Sequence, residues 1–241
     1  GKEMPETLDF IQECSERWDI HIVWLEYDPD AEYQTKIVNH NSASRNGEPF
    51  ERLIDRYGQL PNLHHRICTA HLKTKRFARY GRHQLQWKHW KNVLGIRADE
   101  SRRFLGKENP KEYPWNSVAP LVYADVTSRD VVNFWKKQPF DLKLESVNGV
   151  TPQGNCDLCF LKGAKLLQGL MRKDPSKAAW WIAQEQKKYA TTKTGKPIKA
   201  ENNYFHNPQA RPPYAKLFDI VQNQGDLFDD GVGSMDCMCT D

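Results

Sequence analysis

Two cysteines separated by two residues are the strongest chemical signal in the chain. The segment 154–159 reads Gly-Asn-Cys-Asp-Leu-Cys and lies where a turn is predicted to lead into a helix. Both thiols can reach one metal ion there, and the free amides of the turn and of a helix N-terminus stabilise thiolate. Cys156 and Cys159 therefore predict a zinc site, an iron–sulfur cluster or a redox dithiol. Two unrelated buried cysteines are the structural alternative.

The other cysteines bear on which of these sites forms. A zinc ribbon needs its second pair about 15–20 residues away, whereas Cys237 and Cys239 follow much farther along the chain. Cys68 opens a predicted basic helix, where neighbouring cations are expected to lower its pKa. Cys14 falls on a helical pattern and is predicted to be a small core residue.

A segment that could bind an anion follows a predicted strand. Gly95 permits close backbone approach, and Arg97 and Arg103 can hold a phosphate or sulfate through bidentate hydrogen bonds. Asp99 and Ser101 supply hydrogen-bond acceptors and a hydroxyl. Open α/β sheets bind ligands at the carboxyl ends of their strands, so this position favours an anion site. A charged surface loop is the alternative.

The net charge of +4 hides a strongly uneven distribution. Residues 1–32 hold ten acids and two bases, residues 71–103 hold ten bases and two acids, and residues 217–241 hold six acids and no base. The basic segment predicts attraction of a polyanion, either a nucleotide or a nucleic acid. Because Trp87 and Trp90 lie among its basic residues, stacking on a nucleic-acid strand is the second prediction.

The composition narrows the class of protein. Hydrophobic residues make up 39% of the 241, enough for one substantial core and a small second domain. No apolar run approaches the roughly 18 residues that a membrane helix needs, and no secretory signal is recognisable. Six cysteines without such a signal indicate metal or redox chemistry rather than structural disulfides. We therefore expect a cytoplasmic protein without a membrane partner.

The elements that must position these residues alternate between strands and helices. Predicted strands cover 20–25, 33–39, 92–96 and 121–126, and predicted helices cover 50–57, 68–80, 128–136, 157–172 and 175–187. This alternation predicts an α/β fold with a parallel twisted sheet covered by helices on both faces. We expect a nucleotide-binding domain over 1–150, with its first strand missing, and a cysteine-containing helical region with a polar tail over 151–241.

Together these segments resemble the phosphoadenosine-phosphosulfate reductase family, within the adenine-nucleotide alpha-hydrolase group of PP-loop proteins. The resemblance covers roughly residues 1–190, and it is closest to phage and prophage members around 154–162. It rests on five segments, which are Gly-Lys-Glu at 1–3, Cys-Thr with Leu-Lys at 68–73, Gly-Ile-Arg-Ala-Asp-Glu-Ser with Arg103 at 95–103, the region 120–135, and 154–162.

The resemblance implies a function and a set of residues. It implies binding of an adenine sulfonucleotide and reductive or transfer chemistry at sulfur, with a redox partner. The anion would bind Lys73, Arg97, Asp99, Ser101 and Arg103. An iron–sulfur cluster, or zinc, would bind Cys68, Cys156 and Cys159. Cys237 and Cys239 would be catalytic, or one of them would be the fourth ligand, for which an external group is the alternative. The family's phosphate-binding loop would precede residue 1, which implies an N-terminally truncated chain. The competing class is a nucleic-acid-binding or interaction protein with structural zinc.

Overall fold

The computed structural model describes residues 1–105, 115–147 and 150–223 of the chain. These residues form a mixed α/β structure. Its α-helices are α1 Pro5–Arg17, α2 Glu48–Tyr57, α3 Lys75–Arg79, α4 Pro120–Tyr123, α5 Ser128–Trp135, α6 Ala164–Lys173, α7 Ala178–Gln186 and α8 Tyr214–Asn223. Its strands are β1 Trp24–Tyr27, β2 Thr35–Val38, β3 Trp90–Val93 and β4 Trp115–Val118.

The strands form two separate pairs within the described ranges. β1 and β2 are antiparallel, with Trp24 opposite Val38 and Tyr27 opposite Thr35. β3 and β4 are parallel, with Trp90 opposite Trp115. The predicted strand 33–39 therefore contains β2. The predictions at 20–25 and 92–96 overlap β1 and β3 by two residues each, so their bounds are wrong. A single parallel sheet that contains all of them is not formed by the described residues.

Two sequence expectations about this region are wrong. The predicted strand 121–126 is instead the short helix α4, because Pro120 occupies its first position and its ring favours the helical φ. The segment 92–96 was expected to be a buried strand, yet β3 alternates between partly buried and exposed residues, and Val93 is 66% exposed. A two-stranded pair leaves one face of each strand without a covering layer.

A long helical segment carries five of the Lys and Arg residues. It consists of a π-helical stretch Thr69–Thr74, the α-helical stretch α3 and a second π-helical stretch Tyr80–Gln84. We call this whole segment, 69–84, the basic helix. The sequence predicts the basic helix. It does not predict the π-helical turns, because these depend on local packing rather than on a residue pattern.

The helices after residue 120 follow the capping residues closely. In α5, Thr127 is the N-cap and forms a capping box with Asp130. Asp174 accepts a hydrogen bond from the Ser176 amide ahead of α7. The helix predicted from 157 begins only at Ala164, because residues 157–163 form a tight series of turns.

The larger core lies where α2, α6, α7 and α8 meet the cysteine loop. It contains fully buried side chains from across the chain, which are Phe50, Ile54, Leu158, Leu167, Met171, Trp181, Phe205, Tyr214 and Leu217. A smaller cluster of Ile96, Phe104 and Ala119 lies beside the β3–β4 pair. The larger core therefore joins residues on both sides of position 150 and holds the cysteine loop rigidly.

Candidate cysteine site

Three of the predicted metal ligands come together in the fold. Cys68 lies at the start of the basic helix, and Cys156 and Cys159 lie in the loop 154–163, which we call the cysteine loop. The thiols of Cys68 and Cys156 each interact electrostatically with that of Cys159. Cys159 is buried, and the other two are half-buried against the same core. The fold therefore brings together thiols that are far apart in sequence.

A single lysine lies beside all three thiols. Lys73 follows Cys68 in the basic helix, and its ammonium interacts electrostatically with Cys68, Cys156 and Cys159. It also pairs with Glu3, whose Oε1 lies 4.0 Å from Lys73 Nζ. About half of the Lys73 side chain, 54%, remains exposed. The ammonium can therefore offset negative charge that develops on the thiols while it remains open to a ligand.

The thiols of Cys68 and Cys156 are protonated in this arrangement at neutral pH. Burial and the neighbouring Cys159 raise the pKa of Cys68, and they outweigh hydrogen bonding from Thr69 and the attraction of Lys73. Burial and the Glu3 carboxylate raise the pKa of Cys156 to about 12. The expectation that Cys68 has a lowered pKa is therefore wrong, because loss of water around the thiol outweighs its nearby cations.

A buried lysine organises the cysteine loop from within. Lys162 is fully buried, and its ammonium donates hydrogen bonds to the carbonyl oxygens of Gly154 at 2.9 Å and Cys156 at 2.5 Å. A buried ammonium needs such acceptors, since an unpaired one would cost several kcal/mol. Lys162 thereby fixes the turn that presents Cys156.

Side chains of the segment 203–217 contact backbone carbonyl oxygens of the same cysteine loop. The Tyr214 hydroxyl donates to Leu158 O at 2.6 Å, and His206 Nε2 lies 2.5 Å from Phe160 O. Arg211 donates to Lys162 O at 2.6 Å and to Phe160 O at 3.1 Å. Sequence reasoning missed these contacts because it treated the chain after residue 189 as polar and irregular. The segment instead leads into α8, whose buried residues Tyr214, Leu217 and Val221 recur at helical spacing.

Asp157 links the loop to the core and to the start of the chain. Its Oδ1 accepts hydrogen bonds from the Leu158 amide at 2.7 Å and from Trp181 Nε1 at 2.9 Å. Its Oδ2 lies 3.6 Å from Lys2 Nζ. The Lys2 amide lies 3.5 Å from Cys156 Sγ, and its carbonyl accepts the Asp157 amide at 2.7 Å. Residues 1–3, which carry part of the family resemblance, are thus packed directly on the cysteine loop.

The three cysteine thiols are chemically suited to bind a metal, but their positions do not form a metal site. Thiolates are the usual ligands of zinc and of iron–sulfur clusters. Among the described residues, however, no group of three or more His, Cys, Asp or Glu side chains is placed so that it could hold a metal ion. The thiols are neighbours without sharing ligand geometry. Cys237 and Cys239, predicted as catalytic residues or as the fourth ligand, lie outside the described residues.

The predicted anion-binding arginines are held by carboxylates. Arg97 Nη1 lies 3.0 Å from Glu100 Oε1, and its Nε lies 3.1 Å from Asp99 Oδ1. Arg103 pairs with the other oxygen of Glu100. The carbonyl of Ser101 accepts the amide of Phe104 at 2.9 Å. These residues form the 3₁₀ segment Ala98–Arg103, which follows β3 as predicted. Lys73 belongs to a different set of contacts, those of the cysteine site.

Two further residues, His71 and Cys14, lie in surroundings that are structural rather than chemical. His71 is buried between Tyr57 and Lys75, and burial together with the Lys75 charge lowers its pKa to about 4. A histidine held in this way acts as a neutral packing residue. Cys14 lies on α1, where burial and the Glu13 carboxylate raise its pKa.

The chain is similar to the uncharacterized nin region protein ORF290 of Escherichia phage lambda. The two are 28% identical over 183 residues, which cover 72% of this chain and 58% of that protein. The chain thus spans less than two thirds of the length of the curated relative it matches. No protein-family model and no solved structure matches it. In the described ranges, every helix is too short or too polar to cross a membrane.

Proposed function

We propose that the chain binds an adenine sulfonucleotide and takes part in reductive or transfer chemistry at its sulfur. In this proposal Cys68, Cys156 and Cys159 hold an iron–sulfur cluster, with zinc as the alternative. The observation that carries it is the convergence of these three thiols around Lys73. The same three cysteines are the ligands that the resemblance to phosphoadenosine-phosphosulfate reductases implies.

The chemistry of the site supports metal binding. Soft thiolates favour iron–sulfur clusters and zinc over hard ions such as magnesium. Thiols with raised pKa values lose their protons when a metal binds, so loading would release protons. Three thiolates would carry three negative charges, and the Lys73 ammonium would offset part of that charge. Closing the site would require the cysteine side chains to move from their present positions into ligand geometry.

The anionic end of the nucleotide would bind two sets of cations. Lys73 is half-exposed beside the thiols. Arg97 and Arg103 lie beyond the end of β3, and both are paired with Glu100. A phosphate or sulfate would have to replace this carboxylate, and bidentate hydrogen bonds from arginine make that exchange favourable. In the proposed fold, β3 and β4 would belong to the parallel sheet of the PP-loop proteins.

The reaction needs an external reductant. Reductive release of sulfite from a sulfated nucleotide breaks one sulfur–oxygen bond and consumes two electrons. A partner dithiol supplies them as it is oxidised to a disulfide and loses two protons. Cys237 and Cys239 are the proposed catalytic thiols.

Anaerobic purification with assays for iron, acid-labile sulfide and zinc tests the cysteine assignment. The wild-type chain should contain iron and sulfide in matching amounts. Cys68→Ser, Cys156→Ser and Cys159→Ser should each lose most of it, whereas Cys14→Ser on α1 should retain it. A metal-free wild-type protein would overturn the metal site. Full metal content in Cys156→Ser would overturn its role as a ligand, and stoichiometric zinc without iron would select the zinc version.

Calorimetry with adenosine 5′-phosphosulfate tests the nucleotide assignment separately. Arg103→Gln should weaken binding about tenfold or more, because a charge-assisted contact to the anion is lost. Arg129→Gln is the matched control, since Arg129 is exposed on α5. Equal binding by both variants would exclude the arginine segment from the site.

A nucleic-acid-binding protein with structural zinc is the second candidate. It is favoured by Trp87, whose side chain is 48% exposed, and by the neighbouring exposed residues Arg82 and Lys88. An exposed indole beside cations can stack on a base while the cations neutralise phosphates. Binding of a single-stranded oligonucleotide that weakens steeply with salt and is lost in Trp87→Ala would support it. Sulfonucleotide binding without oligonucleotide binding would exclude it.

A further inference from the structure

A cleft of about 250 Å³ opens between the β1–β2 hairpin and the basic helix. Its hairpin side is formed by Glu32, Tyr33, Thr35 and Ile37, and its helix side by Arg79, Tyr80 and Gln84. The Tyr33 ring stacks on His83, with ring centroids 3.7 Å apart and planes 7° from parallel. The cleft thus has aromatic and aliphatic walls with a cation at one side, and its lining includes none of the candidate cysteine or anion-site residues.

Two guanidinium groups meet at the wall of this cleft. Arg79 Nη1 donates to Tyr33 O at 2.6 Å and to Gln34 Oε1 at 2.7 Å. Arg76 Nη1 donates to Thr35 Oγ1 at 3.1 Å and lies 3.5 Å from the same Tyr33 oxygen. Two positive charges therefore share one carbonyl oxygen, and Arg76 lies directly behind the residues that line the cleft.

Among the described residues, neither guanidinium has a compensating carboxylate. The ion pairs among the described residues include neither Arg76 nor Arg79. Arg76 is 1% exposed, and its Nε and Nη2 have no hydrogen-bond partner in the described part of the chain. It contacts the ring face of Tyr27 at 5.1 Å. Burial and the charge of Arg79 lower the pKa of Arg76 to about 10.

A buried, unpaired cation is costly unless an anion approaches it. Because water is excluded around Arg76, its field at the cleft is screened far less than that of a surface arginine. Glu32 lies at the rim of the cleft and accepts a hydrogen bond from the Tyr33 hydroxyl. In the described part of the chain its carboxylate forms no ion pair with Arg76 or Arg79. Within the described ranges, the two guanidinium groups of Arg76 and Arg79 therefore lack a negatively charged partner beside Arg79.

We propose that this cleft binds a small phosphate monoester with a ring-containing body. The phosphate contacts Arg79 directly and is attracted by Arg76 behind it, and the ring packs against Tyr33, Tyr80 and Ile37. The volume admits a ligand of about the size of phenyl phosphate rather than a dinucleotide. The site is separate from the cysteines, so it does not rest on the proposed sulfur chemistry.

Titration of the full chain with phenyl phosphate and with inorganic phosphate, followed by thermal shift and ³¹P NMR, tests the site. We expect both probes to raise the melting temperature, phenyl phosphate more strongly. Arg79→Gln should weaken binding about tenfold or more. Arg129→Gln, at an exposed position on α5, should bind like the wild type.

Arg76→Met separates a ligand-binding role from a structural one. Replacing an unpaired buried charge by an apolar side chain of similar length should leave the melting temperature unchanged or raise it. Phosphate binding should nevertheless weaken. Unaltered binding in Arg76→Met and Arg79→Gln would overturn the proposal, as would an equal loss in Arg129→Gln. Binding of a single-stranded oligonucleotide without any binding of phenyl phosphate would overturn it in favour of nucleic acid.

Discussion

Lys162 and Cys156 are joined by a hydrogen bond of 2.5 Å from the lysine ammonium to the cysteine carbonyl oxygen. The lysine follows the cysteine pair in sequence and is completely buried beneath it. The bond therefore fixes the backbone of a candidate ligand without contacting its thiol. Positioning of this kind is typical of groups that surround metal-binding residues.

Lys162→Met should destabilise the fold by about 1–3 kcal/mol, because the carbonyl oxygens of Gly154 and Cys156 lose their donor inside the protein. Urea unfolding measures this change. Lys165→Met, at an exposed position at the start of α6, is the control and should cost little. Equal stability of the two variants would show that Lys162 does not hold the loop.

Tyr214→Phe should cost about 1 kcal/mol or more, because it removes only the hydroxyl that donates to Leu158 O at 2.6 Å. The ring would keep its stacking on Trp181. The matched control is Tyr123→Phe, since Tyr123 is 65% exposed. If both substitutions leave the denaturation midpoint unchanged, the contact between α8 and the cysteine loop contributes nothing measurable.

Stability should fall as the pH drops from about 6.5 towards 4, partly because of His206. Burial and the charge of Arg211 lower its pKa to about 4 in the folded state. The unfolded chain therefore takes up a proton in this window before the folded chain does, and acid favours unfolding. His206→Gln should reduce the slope of unfolding free energy against pH by up to about 1.4 kcal/mol per pH unit.

His64→Gln is the control for this effect, because His64 is exposed. It should leave the pH slope as in the wild type. A His206→Gln variant with an unchanged slope would show that His206 is not the group that titrates.

The metal-free thiols should alkylate slowly at pH 7.5. The pKa of Cys68 is raised by burial and by Cys159, and burial and Glu3 raise that of Cys156 to about 12. The pKa of Cys156 in the folded chain exceeds the ordinary value near 9. Protonation of this thiol therefore stabilises the fold fully below pH 9, and the stabilisation is lost as the pH rises towards 12. Iodoacetamide labelling with mass spectrometry measures the rates, and the urea-unfolded chain is the reference. Labelling of Cys156 at the unfolded rate would contradict the arrangement.

Gly58→Ala should destabilise the chain by about 1–3 kcal/mol. Gly58 ends α2 in the left-handed region at φ 61°, and its amide donates to the carbonyl oxygens of Ile54 and Asp55. A Cβ there would lie 2.7 Å from Thr191 O. Gly169→Ala on α6, where a Cβ meets nothing within 4 Å, should be neutral or stabilising. The same loss in both variants would exclude a specific clash at Gly58.

The sequence by itself determined the local elements and the identity of the reactive residues. Periodicity and capping residues located α1, α2, the basic helix, α5 and α7, since these depend on neighbours three or four positions apart. The pair Cys156 and Cys159 was recognisable from its spacing alone. By contrast, α4 was mistaken for a strand because a short apolar run fits both structures equally well.

Only the tertiary structure decided which of these residues meet and in what environment. It placed Cys68 beside Cys159 and surrounded the thiols with core, so that their pKa values rise where the local sequence predicts a fall. It also left Arg76 buried without a carboxylate partner among the described residues. These outcomes depend on long-range packing, which sets the loss of water around each charge and is not encoded in the spacing of neighbouring residues.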